Sequence, residues 1–329
     1  MKVKQNKMKN ILNFLCDNSA AVVLFVLVVF GISYFDTFLT SYNILNVLQQ
    51  SSMLGTMAVG MTLVILTGGV DLAVGSIFAL SGAIAAMYSS QNIYVGVTLA
   101  LLVSVATGIL NGIFIAKCNV PPFVSTLCTM MALRGAVHIL TDERPLQLDK
   151  ESAKWFYDLS GATVAGVPVL VIIFFIVIVL VCLLLKYTRL GRNIYAVGGN
   201  MEAAKMMGLN VDRTLIITYA MSGFLSGLAG LMMCSRTGAA YPLAGNGWEM
   251  NAIAAAVLGG TMMSGGVGTV PGTVVGTLIM GCIGNMINLE GTLGSSWQYV
   301  INGMALLLAV LLMQFQALRQ RYQREADNE

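Results

Sequence analysis

Apolar residues dominate this chain, and polar residues break them up at only a few places. Apolar runs recur at roughly 20–38, 50–67, 74–90, 94–116, 122–141, 168–187, 214–236, 249–264, 269–288 and 298–317. A bilayer core of ~30 Å takes ~20 helical residues. The pattern therefore predicts about ten transmembrane helices. Period-2 alternation is absent, which argues against a membrane β-barrel. The expected fold class is an all-α integral membrane protein. Two glycine-rich stretches adjoin these runs, GGVDLAVGS at Gly68–Ser76 and GGTMMSGGVGTVPGT at Gly259–Thr273. The spans flanking Gly68–Ser76 and Ser264–Gly272 are expected to be broken or re-entrant.

The most polar internal stretches are Thr141–Lys154 and Lys186–Arg213. The second carries Lys186, Arg189, Arg192, Lys205 and Arg213 against Glu202 and Asp212. Cations between spans mark the cytoplasmic side. With the N-terminus inside, the inner segments are 1–19, 68–73, 117–121, 187–213, 265–268 and 318–329. Thirteen of the 18 Lys and Arg residues then lie inside: the four N-terminal lysines, Lys117, five of the loop, and Arg319, Arg321 and Arg324. This bias supports an even number of spans with both termini cytoplasmic. The expected division is a cytoplasmic tail at 1–19, a transmembrane domain at 20–317 with its polar loop at 187–213, and a cytoplasmic tail at 318–329. Helices two to five and seven to ten would then run oppositely, as an inverted repeat does. On the outer side, Thr141–Val167 and Thr237–Trp248 are substantial, but neither is long enough for a domain.

Composition agrees. Hydrophobic residues make up 57% of the 329 residues and charged residues 10%, and the mean hydropathy is +0.80. A soluble domain is about one quarter charged. The 35 glycines suit close helix packing in lipid. Lys2, Lys4, Lys7 and Lys9 precede the first run, which continues without a clean cleavage site and reads as a retained helix. The six cysteines are scattered singly without a CxxC pair, and read as small buried hydrophobes. The absence of a long basic face away from the membrane ends excludes nucleic acid as a partner.

Few residues carry candidate chemistry. Asp71 is the acid placed between two apolar spans without a surrounding polar loop. It reads either as a cap on the helix beginning near Leu72 or as a gate or path residue. Asn111, Asn251, Asn285 and Asn288 read as hydrogen-bonding partners for a hydroxylated solute or as ties between helices. His138 is the single histidine, without neighbouring ligands for a metal. With Arg134 one turn earlier it forms a polar patch. The 259–273 glycines lack the lysine and hydroxyl residue of a phosphate-binding loop, so this chain is not expected to hydrolyse ATP. In the polar loop, Asn200–Asn210 predicts a short helix. Asn200 caps it, Glu202 sits in its first turn, and Gly208 with Asn210 ends it. Glu202, Ala203, Ala204 and Gly208 spell EAA, three residues, then Gly. Such a helix at the membrane's inner face is suited to docking a soluble partner.

Four ordered stretches carry a family resemblance: MAVGMTLVILTGGVDLAVGS at Met57–Ser76, PPFVSTLCTMMALRG at Pro121–Gly135, TRLGRNIYAVGGNMEAAKMMGLNV at Thr188–Val211, and AIAAAVLGGTMMSGGVGTVPGT at Ala252–Thr273. Over about Tyr42–Met313 the chain resembles the membrane permeases of bacterial ABC importers for ribose, xylose, galactose and furanosyl autoinducer. Ala73 departs from a common Ser, and Val267 from a frequent Lys or Arg.

The resemblance implies a multi-pass permease of the bacterial inner membrane that imports a monosaccharide by alternating access. It implies ABC ATPase subunits, a periplasmic or lipid-tethered sugar-binding protein, and a second permease copy, identical or paralogous. ATP and magnesium would bind the partner ATPase, leaving this chain without a cofactor, a metal or an enzymatic activity of its own. Asn200, Glu202, Ala203, Ala204 and Gly208 would couple to the ATPase. Asp71, Asn111, Asn251 and Asn285 would line or gate the path. The alternative is an ion-coupled secondary transporter, which needs acids or unwound helices at mid-membrane.

Overall fold

The computed structural model describes residues 19–292, 294, 296–298, 300–308 and 311. The expected N-terminal tail as far as residue 18, Cys16 included, the expected C-terminal tail and the end of the last expected span lie outside the described residues. Twelve helices are described from end to end. They are α1 (Ser19–Tyr34), α2 (Ser41–Leu66), α3 (Val74–Met87), α4 (Ser89–Ala116), α5 (Pro122–Thr141), α6 (Lys154–Asp158), α7 (Val169–Tyr187), α8 (Arg189–Gly199), α9 (Met201–Met206), α10 (Val211–Thr237), α11 (Trp248–Leu258) and α12 (Val270–Glu290). Residues 300–308 are also helical. Four two-residue strands, β1 (Leu146–Gln147), β2 (Thr163–Val164), β3 (Val167–Pro168) and β4 (Ala239–Ala240), complete the elements.

Among the described residues, five helices are long and apolar enough to cross a membrane: α4, α5, α7, α10 and α12. Helix α10 is the centre of the bundle and packs on α4, α3 and α2. Glycine makes these approaches close. A side chain at Gly223 or Gly227 would collide with Ser104 on α4, and one at Gly230 with the Phe78 carbonyl on α3. In return, Gly108 of α4 lies on Tyr219. Small residues let helix backbones meet where lipid supplies no hydrophobic drive. The Ser81 hydroxyl ties the same layer by donating to the Gly227 carbonyl at 2.9 Å. Residues 51–66 of α2 and Val74–Ala86 of α3 are buried without exception. Helix α5 buries little of itself.

Three elements differ from the hydropathy pattern. Helix α2 starts at Ser41, nine residues before its apolar run. Thr40 caps it, its hydroxyl accepting from the Asn43 amide at 3.3 Å. Helix α11 ends at Leu258, so the span expected at 249–264 is 11 helical residues. At 1.5 Å per residue that is ~17 Å, about half a bilayer core. The chain leaves it through Gly260, whose φ of +88° suits glycine. Helix α8 was not expected at all. Among the cysteines, Cys234 and Cys282 are buried as expected, whereas Cys118 and Cys128 are exposed. Cys128 lies on the little-buried helix α5, and Cys118 in the turn before it.

The two segments expected on the outer side pair with each other. Strand β1 runs antiparallel to β4, with Leu146 opposite Ala240. The Leu148 amide donates to the Gly238 carbonyl at 2.9 Å. Trp155 stacks on Tyr94 with ring centroids 5.0 Å apart. Together they form a small cap over one end of the bundle.

Candidate functional site

The Lys186–Arg213 segment folds as two helices held by a chain of caps. The Thr188 hydroxyl accepts from the Gly191 amide at 3.1 Å and starts α8. Asn200 closes α8 and opens α9. Its extended backbone (φ −161°, ψ 107°) turns the corner, and its Oδ1 accepts from the Ala203 amide at 2.9 Å. Gly208, with φ +80°, ends α9. The Gly208 and Leu209 amides donate there to the Lys205 and Ala204 carbonyls at 3.0 and 3.1 Å. No atom comes within 4 Å of a side chain built at Gly208, so backbone conformation alone demands glycine. Asn210 then caps α10 through the Arg213 amide at 2.9 Å. Ala204 is fully buried against a cluster with Ile115, Val197, Val211 and Leu215. Glu202 is exposed, and so are Met206 at 83% and Met207 at 69%. The short helix is anchored on one side and open on the other.

Both glycine-rich stretches meet the end of α8. The Leu66 carbonyl accepts from the Gly266 amide at 3.0 Å, and Gly198 packs on the same oxygen. A side chain at Gly265 would come within 2.8 Å of both the Gly198 carbonyl and the Gly68 amide nitrogen. The loop helices, the Gly68 turn and the 259–269 turn therefore form one backbone-to-backbone joint.

Just beyond the Gly68 turn, Asp71 is fully buried. Its Oδ1 accepts from the Ala73 amide at 3.0 Å and its Oδ2 from the Ser222 hydroxyl at 2.7 Å. It does not cap α3, whose N-cap Ala73 has no side-chain cap bond; it closes a turn two residues before that helix and ties the break between α2 and α3 to the central helix. The Tyr219 hydroxyl donates to the neighbouring Val70 carbonyl at 3.3 Å. Neither Ser222 nor Tyr219 stood out in the sequence. Their one signal is a polar atom on the glycine-rich face of an apolar helix.

The asparagines do not converge. Asn111 is fully buried and accepts from Thr129 at 2.6 Å and Ser125 at 3.3 Å, joining α4 to α5. Asn285 exchanges two hydrogen bonds with Asn43, at 2.7 and 3.0 Å, joining α12 to α2. Asn288 accepts from Gln298 at 3.2 Å. Asn251 accepts from Asn302 at 3.0 Å and lines a recess that Asp71, Asn111 and Asn285 do not reach. Arg134 donates from Nη1 to the Ala244 carbonyl at 2.6 Å. Its Nη2 and Glu249 Oε2 are buried without partners among the described residues. No cluster of metal ligands occurs among the described residues.

The family described as branched-chain amino acid transport system / permease component matches residues 43–311. The chain belongs to this permease family. The permease is 41% identical over 302 residues to the ribose import permease protein RbsC of Escherichia coli, covering 91% of this chain and 94% of that one. It is 40% identical to the Bacillus subtilis protein of the same name, covering 88% and 90%. It is 34% identical to the L-arabinose ABC transporter permease protein AraH of Azospirillum brasilense, covering 92% and 90%. No solved structure matches the permease. With five apolar spanning helices and these relatives, it is a multi-pass membrane protein.

Proposed function

We propose that this chain is the permease subunit of an ATP-driven importer. It carries a monosaccharide, ribose or a related pentose or hexose, across the bacterial inner membrane by alternating access. The names of its relatives, ribose and L-arabinose permeases covering about nine tenths of each chain, support the sugar. The membrane domain is 20–317, with about ten spans and both termini cytoplasmic. A second permease copy completes the path, and a binding protein delivers sugar at the outer cap. ATP and magnesium stay on the partner ATPase.

One observation carries the mechanism: a helix anchored through Ala204, open at Glu202, Met206 and Met207, and continuous with the Gly198–Leu66–Gly266 joint. Asn200, Glu202, Ala203, Ala204 and Gly208 form the surface on which the ATPase pushes. Displacement of α9 passes through Asn200 to α8, then to the turns that lead to Asp71 and to α12. Asp71, Asn111, Asn251 and Asn285 belong to the moving path or to the ties that shape it.

The test is to purify the tagged chain in mild detergent and identify what stays bound. A stoichiometric ATPase is expected. Gly208→Val, which strains a left-handed position, should release it while the chain still inserts. A chain that purifies alone and transports sugar in ATP-free proteoliposomes under an ion gradient would replace this reading with a secondary transporter.

A further inference from the structure

A polar recess opens between α2, α11, α12 and the helical stretch at 300–308. Its cavity volume is about 60 Å³, room for several water molecules at the ~10–15 Å³ that one water needs. Gln50, Ser51, Trp248, Asn251, Gln298 and Asn302 contribute its polar and aromatic lining. Among the described residues, no charged one lines it.

The hydrogen bonding here is incomplete. Ser51 is 2% exposed, yet its hydroxyl has no partner among the described residues. Gly281 leaves the room that hydroxyl occupies, since a side chain there would collide with Ser51 Oγ. The Asn302 amide donates to Asn251, but its own Oδ1 is buried without a donor among the described residues. The residues that carry this buried hydroxyl and this buried acceptor both line the recess. Leaving such groups unpaired is costly, about 1–3 kcal/mol each from mutational data. A ligand rich in hydroxyls relieves both. Trp248 is held on Phe78, with ring centroids 4.8 Å apart, and adds an aromatic wall.

We propose that this recess is a low-affinity monosaccharide site within the membrane path, recognising sugar hydroxyls through Ser51, Asn251 and Asn302 and a C–H face through Trp248. The inference deepens the importer reading and rests on it. Uncharged lining selects against a zwitterion, whose ammonium and carboxylate both need counter-charges when desolvated. The site therefore fits a sugar better than the branched-chain amino acid of the family's description. Its depth suits a way-station. By helical rise, Ser51 lies ~15 Å from the Ser41 end of α2 and ~22 Å from Leu66 at the joint. Amides and a hydroxyl without charge also give the weak hold that lets a solute leave.

The experiment uses the full-length chain in lipid nanodiscs with Trp155→Phe and Trp297→Phe, so that Trp248 is the sole indole of the three. D-Ribose, L-arabinose and L-leucine are titrated. Saturable change in Trp248 emission is expected with at least one of the two sugars, with half-saturation on the order of millimolar, and none with leucine. Ser51→Ala removes a hydroxyl without a partner among the described residues. It should leave the melting temperature unchanged or raise it, and weaken sugar binding about tenfold. No response to either sugar, an equal response to leucine, or unchanged sugar binding in Ser51→Ala would overturn the site. ATP-dependent ribose uptake by the assembled transporter is measured in parallel. Uptake without the Trp248 response sinks the recess alone. The Trp248 response with ion-driven uptake sinks the importer reading alone.

Discussion

Gly198, at the end of α8, lies directly on the carbonyl oxygen of Leu66, at the end of α2. The contact is backbone on backbone, and the same oxygen holds the Gly266 amide at 3.0 Å. A side chain at Gly198 has nowhere to go, because the atom it meets is not the end of a flexible side chain. Gly199, the next residue, has open space around it. Gly198→Ala should therefore destabilise by about 1–3 kcal/mol, the usual cost of overpacking. Gly199→Ala should be nearly neutral. Thermal unfolding of the two purified variants checks this. Partial retention of fold in Gly198→Ala, with uptake lost more than abundance, would place the joint on the coupling route. Equal melting of the two variants would remove it.

Much of this was legible from residues one by one. Asp71 stood out because an acid without a polar loop needs a partner, and the structure supplies Ala73 and Ser222. The corner at Asn200 and the stop at Gly208 followed from capping chemistry, which is local. What could not be read depends on long-range packing. Asn285 finds Asn43 across 242 positions, and neither sequence neighbourhood points to the other. Helix α2 reaches back to Ser41 because Thr40 caps it, although Ser41–Gln50 has no strong apolar run. Helix α8 was masked by its charges. Arg189 and Arg192 face out while Ile194 and Val197 bury, so its amphipathic pattern was overshadowed by the spans around it. Ser51 looked like any small helix residue until Gly281 and Asn302 were brought beside it.

The Asp71–Ser222 bond predicts a coupled pair. Ser222→Ala removes the hydroxyl donor, and Asp71→Ala removes the acceptor together with the Ala73 contact. Hydrogen bonds to acids in buried sites contribute about 1.5–3 kcal/mol. Asp71→Ala should be the worse of the two, because it also frees the turn before α3. In a double-mutant cycle the two losses should fall short of additivity by at least ~0.5 kcal/mol. Strict additivity in thermal unfolding would mean that the 2.7 Å contact contributes nothing.

The Asn43–Asn285 exchange is the clearest tie between α2 and α12. Each single Asn→Ala change strands one buried amide. Such bonds between helices in lipid average ~0.6 kcal/mol, with ~1.7 as an upper measured value. The single changes should therefore cost about 1 kcal/mol each. Replacing both with leucine should cost less than the sum of the two single changes, since neither amide is stranded, although the Phe38 carbonyl loses its 3.0 Å bond from Asn43 Nδ2. Detergent unfolding of the four proteins reads this. Should the double leucine variant prove worse than both single changes combined, the amides would have a role beyond joining the helices.

Asp149 makes the cap built on β1 and β4 sensitive to acid. Its Oδ1 accepts from the Ser152 and Glu151 amides at 3.4 and 3.1 Å, and its Oδ2 from the Ser152 hydroxyl at 3.0 Å. Those donors hold its carboxyl below the usual aspartate range, led by the Ser152 amide. A carboxylate with a depressed folded-state pKa binds protons more readily when unfolded. Its contribution is therefore fully present above the unfolded value of about 3.9, and is lost as pH falls through the lower folded value. The segment that carries β1 and α6 should be equally protected at pH 8 and pH 5 and should open only below about 4. Hydrogen exchange of residues 145–158 across that range, compared with Asp149→Ala, gives the contribution as a difference. The difference should be flat above about 4 and should close below it. A difference that grows on acidification would reverse the sign and remove Asp149 from the cap.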